Sequence, residues 1–254
     1  LVDAADELDM ELVRRKVPRA GLKADDLVPP SVEGVPTDVV QVGELRAFAG
    51  AGTPASRRRP APGGVSIGHY QVSAGTLGGT VLDRASGTPL ILSNNHVLAN
   101  SNAGQPGDPI LQPGAADGGH AGDDTLAFLE RFVKLRFLEE PATCAIAQGI
   151  ARLGNAAARL IGSHHRLEVV QRDDLAVNVM DAALARPADE SEIDPRILGI
   201  GLIEGARAAQ LGMAVRKSGR STGLTTGEVQ VVDATVTIGY GDRRARFEGQ
   251  IMTG

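Results

Sequence analysis

Tryptophan is absent from this chain of 254 residues, and its aromatic side chains are limited to five phenylalanines and two tyrosines. With so few large rings, the hydrophobic cores have to be built from Val, Ile, Leu and Ala. Cysteine is equally scarce, since Cys144 is the single one. One cysteine cannot form an intramolecular disulfide or supply a cysteine-rich metal cluster. The chain is therefore no small disulfide-stapled domain, although secretion by a bacterium stays open.

Long apolar runs and an excess of positive charge are missing as well. No stretch of about 18 apolar residues occurs, so we expect no membrane-spanning helix and no membrane partner. The net charge of −5 gives no reason to expect nucleic acid as a partner. The chain begins with Leu1 rather than Met and shows no signal peptide, so a removed leader is possible and the cellular location stays open.

The composition divides the chain into five segments. Helical patterns are scarce, glycine is abundant and β-branched residues cluster in short runs, which favours two small β-barrels at this length. Residues 1–48 are predicted to form a small N-terminal unit, in which residues 7–13 alternate like a strand. Residues 49–64 have the composition of a linker. The predicted order continues with a first barrel, a helical insertion and an incomplete second barrel, over residues 65–140, 141–166 and 167–254.

One segment has a clear helical period. Residues 142–161 are predicted to form a helix that carries one apolar stripe, made of Ile146, Ile150, Leu153, Ala157 and Leu160. Cys144 at its start is expected to be a small buried residue, with a reactive thiol as the alternative.

Residues 100–124 are predicted to form a long loop. Its carboxylates are expected either to take part in ordinary turns or to bind a calcium ion.

A polar cluster that ends in a histidine follows an apolar strand. Residues 88–92 are typical of a buried strand, and Ser93-Asn94-Asn95-His96-Val97 comes directly after them. A histidine at the end of a core strand has its backbone fixed by the sheet, so its imidazole can be aimed at a cleft. His96 is therefore a candidate catalytic residue, and a core or capping histidine is the alternative. His69 near the start of the first barrel is expected to be structural or adjacent to substrate.

Two further segments accompany this histidine. The glycine-rich residues 74–82 are predicted to form a strand that pairs with the histidine strand through a turn. Residues 178–185 are predicted to form an apolar strand that a single carboxylate, Asp181, interrupts. This order of strand, turn, strand, His and strand-borne Asp resembles the trypsin-like (chymotrypsin-fold) serine proteases, in particular bacterial members. The resemblance covers about residues 65–254 and implies a mostly β fold of two antiparallel β-barrels, the second incomplete, with one inserted helix.

The resemblance also implies peptide-bond hydrolysis by acyl transfer. His96 would be the base for a serine hydroxyl and then the acid for the leaving amine. Asp181 would orient the imidazole, and its apolar neighbours make an unpaired carboxylate costly there. Asp174, Asp123 and Asp124 are the alternatives, in polar, loop-like runs. The expected substrate is a peptide or protein, and we expect neither a cofactor nor a metal in the reaction.

The family's nucleophile lies in a Gly-Asp-Ser-Gly-type loop, and this motif does not occur in the chain. Residues 243–253 resemble the strand that leads into that loop, whereas Ser218 and Ser221 lie in a glycine-rich hairpin that resembles a wall of the cleft. Three interpretations follow. A complementary C-terminal polypeptide supplies the serine, autoprocessing cut the chain near Gly254, or the chain is a non-catalytic, protease-like binding or scaffold domain. On the first two, the isolated chain is expected to be inactive.

Overall fold

The computed structural model describes residues 31–32, 35–36 and 55–254 of the chain, which divides into two units, Leu1–Gly43 and Glu44–Gly254. In the first unit, strands β1 (Ser31–Val32) and β2 (Val35–Pro36) pair in antiparallel fashion. The strand predicted for residues 7–13 lies outside the described residues, as does the first part of the predicted linker. All elements described below belong to the second unit.

The second unit is mostly β, which confirms the predicted fold class. Its strands in chain order are β3 (Ala61–Gly63), β4 (Ser66–His69), β5 (Gly75–Thr76), β6 (Gly79–Leu82), β7 (Pro89–Ser93), β8 (Pro109–Leu111), β9 (Thr125–Phe132), β10 (Glu139–Pro141), β11 (Val170–Arg172), β12 (Ala183–Pro187), β13 (Ile193–Ile197), β14 (Ala214–Gly219), β15 (Gly223–Tyr240) and β16 (Arg243–Thr253). The α-helices of the described residues are α1 (Asn95–Leu98) and α2 (Ala145–Leu160). Short 3-10 turns lie at Asn100–Asn102, Ala115–Asp117 and Glu190–Glu192.

Seven strands form one antiparallel sheet in the order β5-β4-β8-β9-β12-β7-β6. Its edges are β5 and β6, although only Leu77 and Gly78 separate these two strands along the chain. Three Cα–Cα steps span at most about 11 Å, so the sheet has to curl until its edges adjoin. The single strand predicted over residues 74–82 is therefore broken in two, because the chain crosses there from one edge to the other. Gly78 N donates to Leu92 O at 3.0 Å and holds the crossing against β7.

The interior of the curled sheet is aliphatic, as the scarcity of aromatic residues predicts. Its buried members include Val65, Ile67, Leu77, Ile91, Val97, Leu98, Ile110, Leu126, Leu129, Ala183 and Ala185. β12 lies between β9 and β7 in this sheet, although its residues fall in the range predicted for the second barrel. The predicted linker also contributes, since Ala61 at the start of β3 is fully buried in the same core.

A second sheet contains three strands in the order β14-β15-β16. The central strand, β15, is the longest of the three and has 18 residues. Its first part pairs with β14 and its second part with β16, so one long strand serves two hairpins. The core beside this sheet is aromatic, with Phe137, Tyr240 and Phe247 buried together.

Helix α2 belongs to an insert that starts and ends in a two-stranded ladder of β10 and β11. The helix is present as predicted, but its apolar stripe faces solvent: Ile146, Ile150, Leu153 and Leu160 are 76%, 64%, 75% and 89% exposed. Cys144 is also exposed, so the expectation that it is buried is wrong. Ala151 is the buried residue of the helix, and Gly154 packs against Leu167 of the returning chain. Among the described residues, no helix is long and apolar enough to span a membrane.

Candidate active site

The candidate histidine lies where β7 ends and α1 begins. The side chain of Ser93 donates to Thr76 O at 2.7 Å, which ties the end of β7 to the facing edge strand. The next turn buries Val97 at 3% exposure and leaves the His96 side chain 22% exposed. A side chain at Gly75 would overlap Val97, so the small residue in β5 is what allows α1 to lie this close. The imidazole is therefore held by a buried backbone and still reaches the surface.

Asp181 reaches His96 because β12 pairs with β7. Ala183 lies opposite Ser93 in this antiparallel ladder, so the residues just before β12 meet the residues just after β7. His96 Nδ1 lies 2.5 Å from Asp181 Oδ2, a contact between residues 85 positions apart in the chain. The two residues that the sequence selects are thus neighbours in space.

The carboxylate of Asp181 is fully engaged in hydrogen bonds. Its Oδ1 accepts from the backbone N–H groups of Asn95 at 2.6 Å and His96 at 3.3 Å. Its Oδ2 accepts from Tyr240 OH at 2.9 Å in addition to His96 Nδ1. Burial raises the pKa of Asp181, but the hydrogen bonds from His96, Tyr240 and Asn95 outweigh it and leave the pKa below its ordinary value. Asp181 is therefore ionised at neutral pH, and an ionised carboxylate requires a proton on Nδ1 of His96.

A cleft of about 560 Å³ opens beside this pair. Its wall is part polar and part apolar, and the lining residues are Ala74, Gly75, Thr76, Asn94, His96, Val97, Val179, Met180, Asp181, Arg220, Ser221, Ile238, Tyr240, Phe247 and Gln250. Ser221 thus lies in the same cleft as His96, at the turn between β14 and β15, whereas Ser218 lies in β14 and does not line the cleft.

A buried ion pair fixes that turn. Arg220 and Asp117 are 2% and 6% exposed in their side chains, and the guanidinium Nε lies 2.5 Å from one carboxylate oxygen. The second guanidinium contact, to the other oxygen, is 2.6 Å. Ser66 Oγ also donates to Asp117, and Arg220 N donates to Thr76 Oγ1 at 3.0 Å. The hairpin of the three-stranded sheet is therefore pinned to the seven-stranded sheet beside the cleft.

Several buried polar residues near the site have no signal in the sequence. Asn95 is fully buried, and its amide donates to Asn102 Oδ1 at 2.9 Å and to Val133 O at 2.7 Å. Asn178 Oδ1 accepts a hydrogen bond from the backbone N–H of Arg136, and Asn178 Nδ2 donates to Arg136 O and Arg246 O. The sequence does not single out these residues, because an asparagine in a polar run is typical of a turn. Tyr240 is not singled out either, although it is one of only two tyrosines in the chain.

The other candidates from the sequence lie outside the cleft. His69 is fully buried and pairs with Asp108 at 3.0 Å, which gives it a structural role. Asp174 and Asp123 are exposed, and Asp124 pairs with Arg57 at 3.1 Å. Three carboxylates of the long acidic loop are paired within the protein: Asp108 with His69, Asp117 with Arg220, and Asp124 with Arg57. Across residues 55–254, no group of three or more His, Cys, Asp or Glu side chains is arranged to hold a metal ion.

Comparison with known proteins gives similarities at the level of structure. No protein-family model matches the chain, and no curated protein matches it in sequence. A protease from Nocardiopsis, NAPase, has a TM-score of 0.42 and 16% identity, over 76% of this chain and 70% of that one. A serine protease specific for glutamic acid, which uses a histidine triad in substrate binding, has a TM-score of 0.43 and 17% identity, over 76% of this chain and 72% of that one. Both of these similar structures are of proteases, at low sequence identity to this chain.

Proposed function

We propose that this chain supplies the histidine and the aspartate of a serine endopeptidase. The observation that carries the proposal is the 2.5 Å contact between His96 Nδ1 and Asp181 Oδ2, at the wall of a cleft that could admit a peptide. With Nδ1 engaged by the carboxylate, Nε2 is the nitrogen that can take and return a proton. Such a pair is the base and orienting group that a weakly nucleophilic hydroxyl requires.

The proposed reaction is acyl transfer in two halves. In the first half, a serine oxygen attacks the carbonyl carbon of the peptide bond while its proton passes to Nε2 of His96. The imidazolium then protonates the leaving amine, the C–N bond breaks and an acyl-enzyme ester remains. In the second half, water attacks the ester, His96 takes a proton from that water, and the serine leaves with a proton from His96. Asp181 stays ionised throughout and stabilises the imidazolium.

The serine and the oxyanion hole are proposed to come from polypeptide outside these 254 residues, either continuous with the chain or separated from it by autoprocessing. The chain contains no Gly-Asp-Ser-Gly-type motif, and β16 resembles the strand that leads into such a loop. Ser221 is the alternative because it lines the cleft. We favour the external serine because Ser221 belongs to a hairpin turn that the Arg220–Asp117 ion pair holds in place.

A fluorophosphonate probe on the intact protein tests this proposal, with mass spectrometry locating the modified serine. We expect label on one serine outside residues 1–254, no label in His96→Ala, and unchanged label in Ser221→Ala. Label on Ser221 would move the nucleophile into this chain. An intact protein that takes no label, although it binds peptides, would contradict the endopeptidase assignment.

That last outcome describes the second candidate function, a protease-like domain that binds without cleaving. The apolar part of the cleft wall favours it, because Val179, Met180 and Ile238 offer contacts to peptide side chains independent of any nucleophile. Binding of an unstructured peptide to the isolated chain, measured by calorimetry, should persist in His96→Ala. Loss of binding in Met180→Asp would place the peptide in this cleft.

A further inference from the structure

The hydroxyl of Tyr240 lies 2.9 Å from Asp181 Oδ2, the same oxygen that faces His96 Nδ1. We propose that Tyr240 is a positioning residue of the His96–Asp181 pair, which fixes the carboxylate through its hydroxyl and draws part of the carboxylate charge away from the imidazole. The proposal deepens the proposed function and rests on it, since it concerns how the base is held and tuned.

The hydroxyl is fixed by packing as well as by its hydrogen bond. Tyr240 is 8% exposed and ends β15, directly before the two-residue turn to β16. Gly241 in that turn has φ +66°, a backbone conformation that side-chain-bearing residues rarely adopt. The ring meets Phe137 edge-on at 5.7 Å and packs at a tilt against Phe247 at 6.4 Å. A phenol held in this way has little freedom to follow a moving carboxylate, so the carboxylate has to stay with the phenol.

The same ring also contacts the imidazole. The centroids of Tyr240 and His96 lie 5.7 Å apart with the planes at 69° to each other, an edge-to-face arrangement. Tyr240 therefore limits the tilt of the imidazole while its hydroxyl limits the rotation of the carboxylate. Both partners of the pair belong to the seven-stranded sheet region, whereas Tyr240 belongs to the three-stranded sheet. Tyr240 thus connects the three-stranded sheet to the His96–Asp181 pair.

The hydroxyl of Tyr240 stays protonated, and so remains a hydrogen-bond donor, at acidic, neutral and moderately alkaline pH. Burial, then the charge of Asp181, raises the pKa of Tyr240 far above its ordinary value, so the phenol keeps its proton. A donor on Oδ2 competes with His96 Nδ1 for the same oxygen and reduces the negative charge that stabilises an imidazolium. The other charged groups nearby are engaged elsewhere: Arg220 pairs with Asp117, and Arg243 lies over the Phe137 ring at 3.9 Å.

The test replaces the hydroxyl alone, with Tyr240→Phe, and uses Tyr70→Phe as a matched control on the only other tyrosine. The readout is the proton resonance of His96 Nδ1–H, measured by NMR on the isolated chain, so it does not require catalysis. In Tyr240→Phe we expect this resonance to move further downfield, because the histidine no longer shares Oδ2 and its hydrogen bond to the carboxylate strengthens. Tyr70→Phe should leave it in place, since Tyr70 lies beside His69 and not in the cleft.

A second variant strengthens the donor instead of removing it. In the Tyr70→Phe background, 3-fluorotyrosine is incorporated at the one remaining tyrosine, position 240. The more acidic phenol should move the His96 resonance upfield, opposite to Tyr240→Phe. If the tyrosine serves only to fill space, neither variant moves the resonance, and that result overturns the proposal. The fluorinated protein also keeps the question answerable if Tyr240→Phe folds poorly.

The active intact protein supplies a second readout. Tyr240→Phe should lower kcat about tenfold with little change in KM, the loss of roughly one hydrogen bond to a charged group. Failure of the proposed function has a different signature: the intact protein would then take no fluorophosphonate label, whereas the Nδ1–H resonance of His96 would still respond to Tyr240→Phe. A resonance that responds to Asp181→Asn and not to Tyr240→Phe overturns the role of Tyr240 alone.

Discussion

His96 is exposed enough to act on a ligand, and its backbone is buried enough to stay in place. The side chain is 22% exposed, while Asn95 and Leu98 on either side are fully buried. The helical turn is therefore held by its buried neighbours and should survive removal of the imidazole. The same residue is the one on which the proposed reaction depends.

In the intact protein, His96→Ala should lower peptidase turnover by about 10³-fold or more, because the serine loses its base. The fold should be retained, since Asp181 keeps its hydrogen bonds from Tyr240 OH and from the backbone N–H groups of positions 95 and 96. Steady-state hydrolysis of a peptide substrate measures the first effect and circular dichroism the second. His120→Ala is the matched control, because His120 is exposed and lies away from the cleft. Turnover near that of the unmodified protein in His96→Ala would rule out the assignment.

Asn95 should matter for stability. Asn95→Ala removes the side-chain donor to Val133 O and to Asn102 Oδ1, and it removes the side-chain acceptor of the Asn102 backbone N–H. Each unsatisfied buried group costs about 1 to 3 kcal/mol, so we expect the free energy of unfolding to fall by about 2 to 4 kcal/mol. Urea denaturation measures this change. Asn94→Ala is the control, since Asn94 is exposed and makes a single side-chain contact to Asp181 O. A loss in Asn95→Ala no larger than in Asn94→Ala would contradict the network.

At the residue scale, the sequence predicts His96 and Asp181 but not the residues that hold them in place. His96 follows an apolar strand and Asp181 interrupts another, so each is conspicuous against its neighbours. Tyr240 and Asn95 are not conspicuous, because their role depends on contacts across 59 and 38 positions of the chain. A local pattern carries no information on such contacts.

Helix α2 shows how an element can be predicted correctly without its orientation. The period of residues 142–161 indicates a helix with one apolar stripe, and the structure has that helix. The packed side is nevertheless the one with Ala151 and Gly154, where Asn155 exchanges two hydrogen bonds with the backbone of Leu167. Small residues allow the returning chain to approach closely, and the larger side chains are left outside.

The double variant Ile150→Gln and Leu153→Gln should therefore change the free energy of unfolding by less than about 0.5 kcal/mol, since both side chains are exposed. Ile67→Ala provides the contrast, because Ile67 is fully buried in the curled sheet and should cost about 2 to 5 kcal/mol. Urea denaturation of all three proteins measures this difference. A large loss in the glutamine variant would mean that the stripe is covered in solution.

The strands, like helix α2, can be predicted as elements, but their neighbours in the fold cannot. Apolar runs reveal β7 and β12, but not that β12 lies between β7 and β9. The break between β5 and β6 is equally hidden, because residues 74–82 have an unbroken strand-like composition. Pairing across the chain decides both features, and single-strand patterns do not encode pairing.

At the scale of the whole molecule, two sheets meet at the cleft and a buried ion pair joins them. Hydrogen bonds from Arg220 hold the pKa of Asp117 below its ordinary value, against the opposing effect of burial. A carboxyl whose pKa is lower in the folded state stabilises the fold above its unfolded pKa of about 3.9. That stabilisation is lost as pH falls through the lower, folded value.

The unfolding free energy should accordingly decrease as pH is lowered from about 5 to 2, and the decrease should be smaller in Asp117→Asn. Arg220→Gln should cost about 3 to 5 kcal/mol near neutral pH, because it leaves a buried carboxylate without its cation. Urea denaturation across this pH range measures both. Arg84→Gln, at an exposed turn, is the control. An Arg220 variant as stable as the control would show that the pair does not hold the sheets together.

The concentration of aromatic side chains beside the histidine has a practical consequence. Phe137, Tyr240 and Phe247 pack into one buried group, the other tyrosine is 39% exposed, and the chain has no tryptophan. The near-ultraviolet circular dichroism of this protein should then arise chiefly from Tyr240, whose ring is held in an asymmetric environment and contacts the imidazole of His96. Binding of a molecule in the cleft should therefore change this signal, so that binding can be measured without an added chromophore.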